Sequence, residues 1–168
     1  ESGMYIGGDQ NCNGVADTNE ECVTSCDLMM AKDSYIGCEY WPVYMANNTP
    51  MNHTLVISNA NSKEATIYVY RKADFTAAKP YKTVTIHPQS LAVIELSTGS
   101  TNMLSGTQLS EKAYMVRSTL PITAYQFNPW GSANAHTNDA SLLLPTNVLG
   151  KHYIGMAWKV ANSRGFGG

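Results

Sequence analysis

The sequence predicts a mainly β protein, an antiparallel β-sandwich that follows a short disulfide-tied segment of loop and helix. Two observations predict the sheet: short runs alternate between apolar and polar residues, and clusters of Asn, Gly, Ser and Pro separate them. A third sets the beginning apart, because all four cysteines and eight of the 13 acidic residues lie within residues 1–40. We therefore expect an acidic, cysteine-containing segment at 1–40 and a sandwich body at 41–168. The glycine-rich end at 163–168 is interpreted either as a disordered tail or as a connector, and we expect this body to be the first part of a larger domain.

Composition excludes two classes of function. The net charge is −2 and only 14% of the 168 residues are charged. There is thus no basic excess to neutralise phosphates, and we expect no nucleic-acid partner. No apolar run approaches the roughly 20 residues of a membrane-spanning helix, so we expect no membrane insertion.

Residues 9–20 match an EF-hand-like calcium loop at all twelve positions. Calcium prefers six to eight oxygen ligands, and alternating acidic and amide side chains around a turn glycine supply them. The predicted ligands are the side chains of Asp9, Asn11, Asn13, Asp17 and Glu20 and the main-chain carbonyl of Val15. No helix precedes the loop, and only an exiting helix over 20–32 is expected, so this is a lone structural Ca²⁺ site. The alternative is a polar loop that binds nothing.

The four cysteines, Cys12, Cys22, Cys26 and Cys38, allow three disulfide pairings, or a zinc site. We prefer disulfides, because no Cys-x-x-Cys pair is present and Cys12 lies inside the calcium loop. Cys22 and Cys26 are four residues apart and would share one helix face. From there they would reach Cys12 and Cys38, which predicts Cys12–Cys22 and Cys26–Cys38. Two disulfides indicate an oxidising compartment, and hence a secreted or cell-surface protein.

The body contains nine predicted strands separated by turn signals. They cover residues 36–45, 54–59, 66–71, 83–87, 91–96, 113–118, 122–127, 141–144 and 153–158. Strict alternation at 66–70 and 83–87 is typical of strands with one buried face. A single helical turn is expected within 104–111.

No catalytic pattern emerges from the sequence. His136, Asp139 and Ser141 contain the residue types of a hydrolase triad, but they lie within six residues of one another and lack a Gly-x-Ser-x-Gly motif. The other candidates are isolated in sequence: His53, His87, His152, Asp74 and Glu95. We therefore expect a protein that is not an enzyme.

Trp130 is the aromatic residue most indicative of binding. It stands in Pro129-Trp130-Gly131, a predicted turn, where an exposed indole is typical of a contact residue. The remaining aromatic residues are better interpreted as core or sheet-face residues.

Several runs resemble the IgGFc-binding protein N-terminal domain family, particularly its bacterial extracellular members. They are STLPITAYQFNP at 118–129, NDASLLLP at 138–145, LGKHY at 149–153, TLVISN at 54–59 and ATIYV at 65–69. The resemblance covers about residues 35–168 and implies an extracellular, β-rich region of binding or adhesion without catalysis. Residues 9–20 separately resemble metal-binding motif repeats of secreted bacterial proteins.

These observations predict a secreted or cell-surface adhesion or recognition module, stabilised by Ca²⁺ and disulfides, that binds a protein or glycan partner. The alternative is a structural subunit of an extracellular filament or surface layer that self-assembles through sheet edges. A secreted hydrolase using His136 and Asp139 is the least favoured hypothesis.

Overall fold

The computed structural model describes residues 25–45, 52–71, 79–97, 103–104, 106, 108–130 and 139–155. Within these residues, one helical turn, α1 (Cys26–Met29), precedes the strands. The strands are β1 (Gly37–Tyr40), β2 (Asn52–Asn59), β3 (Ala65–Arg71), β4 (Lys82–Ile86), β5 (Ser90–Ser97), β6 (Tyr114–Trp130) and β7 (Ala140–Leu142). A 3₁₀ turn, Thr146–Val148, follows β7.

The sheet is arranged around β6, and every strand pair in it is antiparallel. β1 and β3 flank the first half of β6, since both lie opposite Val116 and Arg117. β2 and β7 flank the second half, since both lie opposite Tyr125 and Phe127. β4 extends the sheet beyond β3, and β5 extends it beyond β2. The mainly β, antiparallel prediction is therefore confirmed.

The predicted sandwich is corrected to a nearly closed, barrel-like sheet. The reason lies in β6, which the sequence divides into strands at 113–118 and 122–127 but which runs unbroken for 17 residues. Pro121 suggests a break, because it has no N–H to donate to a ladder. Pro121 instead falls between the two ladders: pairing with β3 ends at Ser118, and pairing with β2 begins at Thr123. The strand therefore bends there and joins both halves of the sheet.

The core lies between these two halves and is filled by alternate residues of the strands. Its fully buried members include Tyr40, Leu55, Ile57, Ile67, Val69, Val116 and Ala124. The Tyr40 hydroxyl lies 2.5 Å from the carbonyl oxygen of Ile122 and 3.0 Å from that of Tyr35. Burial raises the pKa of Tyr40, so this hydroxyl stays protonated as a hydrogen-bond donor.

We call the β2–β3 turn, the β4–β5 turn and the part of β6 around Pro121 the three bends of the sheet. Asn59, at the end of β2, connects the first two. Its buried side-chain amide donates to the carbonyl oxygens of Lys63 (2.8 Å), Ile86 (3.0 Å) and His87 (3.1 Å). Lys63 lies in the turn between β2 and β3, and Ile86 and His87 lie where β4 leads to β5. One side chain therefore satisfies buried and partly buried carbonyls of two different turns.

Asn61 extends this network to the third bend. Its main-chain and side-chain nitrogens donate to Asn59 Oδ1 at 3.0 and 2.8 Å, and its side chain also donates to the Pro121 carbonyl at 2.7 Å. The main-chain N–H of Gln89 donates to the Asn61 carbonyl at 3.3 Å. Gln89 has a φ of 52°, a left-handed conformation that is uncommon for a side-chain-bearing residue. We name this set, Asn59, Asn61, Gln89 and their carbonyl partners, the corner network.

The segment before β1 is fixed to the sheet by a disulfide and by α1. Cys26 and Cys38 are bonded, with Cα atoms 5.7 Å apart, which confirms that predicted pairing. The helix expected over 20–32 is a single turn within the described residues, capped by the Ser25 hydroxyl, which accepts from the Leu28 N–H. Cys12 and Cys22 lie outside the described residues, so their pairing stays a prediction, as does the boundary at residue 40.

Three other predicted elements differ from the structure. The strand expected at 36–45 ends at Tyr40, because the next segment contains Pro42, whose carbonyl accepts from the Tyr114 N–H at 3.1 Å. The helical turn expected within 104–111 is absent from the described part of that segment, where Leu104 forms an isolated bridge with Met45. Residues 153–155 form no strand, and 156–158 lie outside the described residues.

Replacing Asn59 by Ala should destabilise the fold by about 3 kcal/mol, because buried carbonyls of two turns lose their donor at once. Chemical denaturation monitored by circular dichroism measures this change. Ser62→Ala is the matched control: Ser62 is exposed in the same turn, and its loss should change stability by less than about 0.5 kcal/mol. Equal stability of the Asn59 variant and the control would contradict the role of the corner network.

Candidate interaction surface

An apolar row crosses the outside of the half-sheet formed by β5, β2, β6 and β7. Val93 lies opposite Val56, Val56 opposite Tyr125, and Tyr125 opposite Leu142. Directly opposed residues share one face of an antiparallel sheet, so these four side chains form a line about 14 Å long. Val93, Tyr125 and Leu142 are 49%, 39% and 41% exposed. The row is therefore open to solvent although its side chains are apolar.

Two further rows flank this line, and we call the three rows together the outer face. On one side lie Leu91, Ser58 and Thr123, and on the other Glu95, Thr54, Phe127 and Ala140. The register places Thr54 in this row, but its side chain is fully buried. Glu95 is the only charged residue of the three rows, and its Oε1 accepts from the Asn52 side-chain amide at 3.0 Å. Apart from the Glu95 carboxylate at its border, the outer face is uncharged.

Trp130 lies next to the outer face rather than in the predicted turn. It is the last residue of β6, lies opposite Asn52 and is half-buried. Its ring meets the ring of Phe127 edge-on, with centroids 4.6 Å apart. Its part in binding stays a prediction, but its position continues the apolar surface beyond Phe127.

Sequence reasoning missed the apolar row itself, although one signal for it is present. In β5 both sets of alternate residues are apolar: Ala92, Ile94 and Leu96 face the core, while Leu91 and Val93 face outward. A strand with one solvated face normally carries polar residues there. Apolar residues on both faces of an edge strand therefore indicate a surface to be covered.

The residues considered for catalysis are distributed over the fold. Asp139 and Ser141 are exposed at β7, and His136 and Asp74 lie outside the described residues. His87 is paired with Glu64 at 2.7 Å beside the corner network, His152 is exposed, and His53 is buried in the core. Within the described ranges no group of three or more His, Cys, Asp or Glu side chains is placed to hold a metal ion. The predicted calcium ligands, in residues 9–20, lie outside these ranges.

A second polar cluster fixes the chain after β7 to β1. Glu39 accepts from Arg117 Nε at 2.9 Å, from the Thr146 hydroxyl at 3.1 Å and from Trp41 Nε1 at 3.2 Å. Partial burial raises the pKa of Glu39, but these three hydrogen bonds outweigh it and hold the pKa below its usual value of 4.5. These hydrogen bonds join β1 to β6 and to the 3₁₀ turn after β7, so we interpret the cluster as structural.

Gly37 completes this attachment, because its missing side chain leaves room for the segment after β7. A Cβ atom at this position would lie 2.4 Å from Pro145 Cβ, far inside contact distance. Asn147 then donates to the carbonyls of Met29 (3.0 Å) and Lys32 (3.1 Å). The segment after β7 is therefore fixed to β1 and to the residues that precede β1.

Within the part of the chain that the structure describes, no helix combines the length and hydropathy needed to cross a membrane. No family model matches the chain, and no curated protein matches it. Among solved structures, the chain is similar to the crystal structure of Thermotoga maritima 1070, with 16% sequence identity and a TM-score of 0.40. That similarity covers 66% of this chain and 95% of the other.

Proposed function

We propose that this chain is a non-catalytic adhesion or recognition module, secreted or displayed at the cell surface, and that it binds through the outer face. The observation that carries the proposal is the exposed apolar row of Val93, Val56, Tyr125 and Leu142. Apolar side chains that form one exposed row, rather than lying singly, can supply the apolar centre of a contact, because removing them from water is favourable. The Cys26–Cys38 disulfide supports the extracellular location. The resemblance to the IgGFc-binding protein N-terminal domain family is in keeping with a binding function and with an extracellular location.

The chemistry of the outer face favours a protein partner. Three rows across four strands cover about 200 Å², less than the roughly 800 Å² that each side of a standard protein interface buries. The face is therefore suited to be the apolar centre of a larger contact, with Phe127 and Trp130 at its margin. A complementary partner presents apolar side chains and a basic residue that meets the Glu95 carboxylate.

Self-assembly through sheet edges is the second candidate, and one observation favours it. Among the described residues, β5 pairs only with β2, and β7 only with β6, so each has a second edge on which a strand can add. The Lys82 amine contacts the Glu95 carbonyl on β5, so part of that edge is already occupied. Sedimentation velocity separates the candidates: concentration-dependent assembly supports a filament or surface-layer subunit, and a monomer at all concentrations contradicts it.

Replacing Val93 or Tyr125 by Lys should weaken partner binding about 30-fold, because a charge would be buried at the centre of the contact. The purified protein is incubated with three probes: cells of the producing organism, their secreted proteins and their surface polysaccharide. Thr85→Lys is the matched control, since Thr85 is an exposed strand residue on β4, away from the outer face.

Loss of binding to the protein or cell probe in the Val93 and Tyr125 variants alone supports the proposal. Binding to polysaccharide alone assigns a glycan partner instead of a protein. Equal binding by all variants that circular dichroism shows to be folded would contradict the outer face as the contact surface.

We also propose that residues 9–20 bind Ca²⁺ and stabilise the beginning of the chain. Support comes from the sequence pattern alone: oxygen-bearing side chains at Asp9, Asn11, Asn13, Asp17 and Glu20. Bound there, the ion would fix the conformation of the loop near the segment that the Cys26–Cys38 disulfide attaches to the sheet.

Calcium should raise the free energy of unfolding by about 1.4–2.7 kcal/mol at 10 mM, for a dissociation constant of about 10⁻⁴–10⁻³ M. Thermal unfolding with calcium and with EDTA measures this stabilisation, and calorimetry measures the heat of binding. Glu20→Gln should abolish both effects, whereas Asp33→Asn, outside the loop, should retain them. Identical melting in calcium and EDTA, together with no heat of binding, would disprove the site.

A further inference from the structure

His53 is a fully buried histidine enclosed by two aromatic rings. Its ring stacks on Tyr44, with centroids 5.3 Å apart and planes 7° from parallel, and it tilts against Tyr114 at 5.9 Å. Within the described residues Nδ1 and Nε2 make no hydrogen bond of good geometry, although the Gln126 amide lies close enough to act on the ring. Buried polar atoms are nearly always well paired, so an imidazole held mainly by two aromatic rings is unusual.

The strand that carries His53 is irregular at this position. The register of β2 shifts between His53 and Thr54 along β5, and between Asn52 and Thr54 along β6. Within the described residues the neighbouring Thr54 hydroxyl is also buried without a hydrogen-bond partner. The polar side chains of His53 and Thr54 are therefore poorly paired at the end of β2 where the ladders on both of its edges are interrupted.

The groups that face the imidazole are neutral. The Tyr44 ring follows β1, and the Tyr114 ring and the Gln126 amide come from the two halves of β6. No carboxylate or cation of the described residues acts on the ring: Glu95 is bound to Asn52, and Arg71 and Lys82 lie over Tyr81. Within the part of the chain that the structure describes, a proton taken up by His53 is therefore not compensated by a nearby carboxylate.

We propose that His53 is an acid-sensitive latch: protonation expels the imidazole from the slot between Tyr44 and Tyr114 and opens the beginning of β2. Val56 lies three residues further along the same strand and belongs to the apolar row of the outer face, so opening would release a partner bound there. That consequence for binding rests on the proposed function. The opening itself does not, and the experiment measures only the opening.

The direction of the pH dependence follows from the difference between the closed and open states. Burial lowers the pKa of His53 from 6.5 to about 4, and the nearby Gln126 offsets only part of this. A group with a depressed pKa in the closed state takes up a proton on opening, so the closed state is fully favoured above pH 6.5 and loses stability as the pH falls towards 4. With these values the opening equilibrium constant rises about 20-fold between pH 7 and pH 5.

Amide hydrogen exchange at pH 7 and pH 5, corrected for intrinsic rates, measures opening at residues 53–57 relative to residues 65–69 of β3. The expected result is an approximately 20-fold loss of protection at 53–57 alone. At pH 5 Glu39 remains ionised, because its pKa lies below 4.5, so the Glu39 cluster does not contribute. His53→Phe keeps an aromatic ring in the slot without a titrating group and should abolish the difference.

His87→Phe is the matched control, because His87 is exposed beside the corner network, and it should retain the 20-fold difference. Should His53→Phe fail to fold, the imidazole of the wild-type protein is titrated directly by NMR. Protonation of His53 accompanied by loss of protection at 53–57 supports the latch, whereas protonation without that loss, or a transition at the ordinary pKa of 6.5, overturns it. Equal protection at both pH values in the wild type overturns it as well.

Discussion

The side-chain amide of Asn59 is the interaction on which the shape of this protein depends. It joins carbonyls of two turns, and through Asn61 it reaches the third bend, at Pro121. Each bend leaves main-chain carbonyls without a ladder partner, and buried carbonyls without a donor are unfavourable. One amide at the point where the three bends meet supplies the donors that these carbonyls need. Three segments, β2–β3, β4–β5 and β6, can therefore each contribute to both halves of the sheet.

The bends also determine which surfaces are available for function. Because β6 crosses from one half to the other, the two inner faces enclose a common core, and the half formed by β5, β2, β6 and β7 presents its other face to solvent. Glu39 and Gly37 hold the chain after β7 against β1. The buried His53 lies on the inner side of the same half, so stability and the outer face are coupled through β2.

Local patterns were sufficient to predict much of the fold. Alternation bounded by turn residues predicts β3, β4 and β5 to within one residue at each end, because those signals lie inside each element. The continuity of β6 was not predictable from Pro121 alone, since the absence of ladder partners at that residue depends on β2 and β3. For the same reason the sequence, which places Asn59 at the end of the predicted strand at 54–59, does not indicate that its side chain joins two turns. Of the candidate interaction surface, the sequence indicated only Trp130. The apolar row could not be predicted, because it forms only when four strands are paired in register.

Exchange of the two side-chain amide protons of Asn59, followed by NMR in the folded protein, tests the central claim most directly. Protons held by carbonyls of two turns should exchange only when the whole sheet opens, with the same free energy as the amides of Leu55 and Ile57. Exchange as fast as that of a solvent-exposed asparagine would show that the bends are held by something other than Asn59, and would contradict this account.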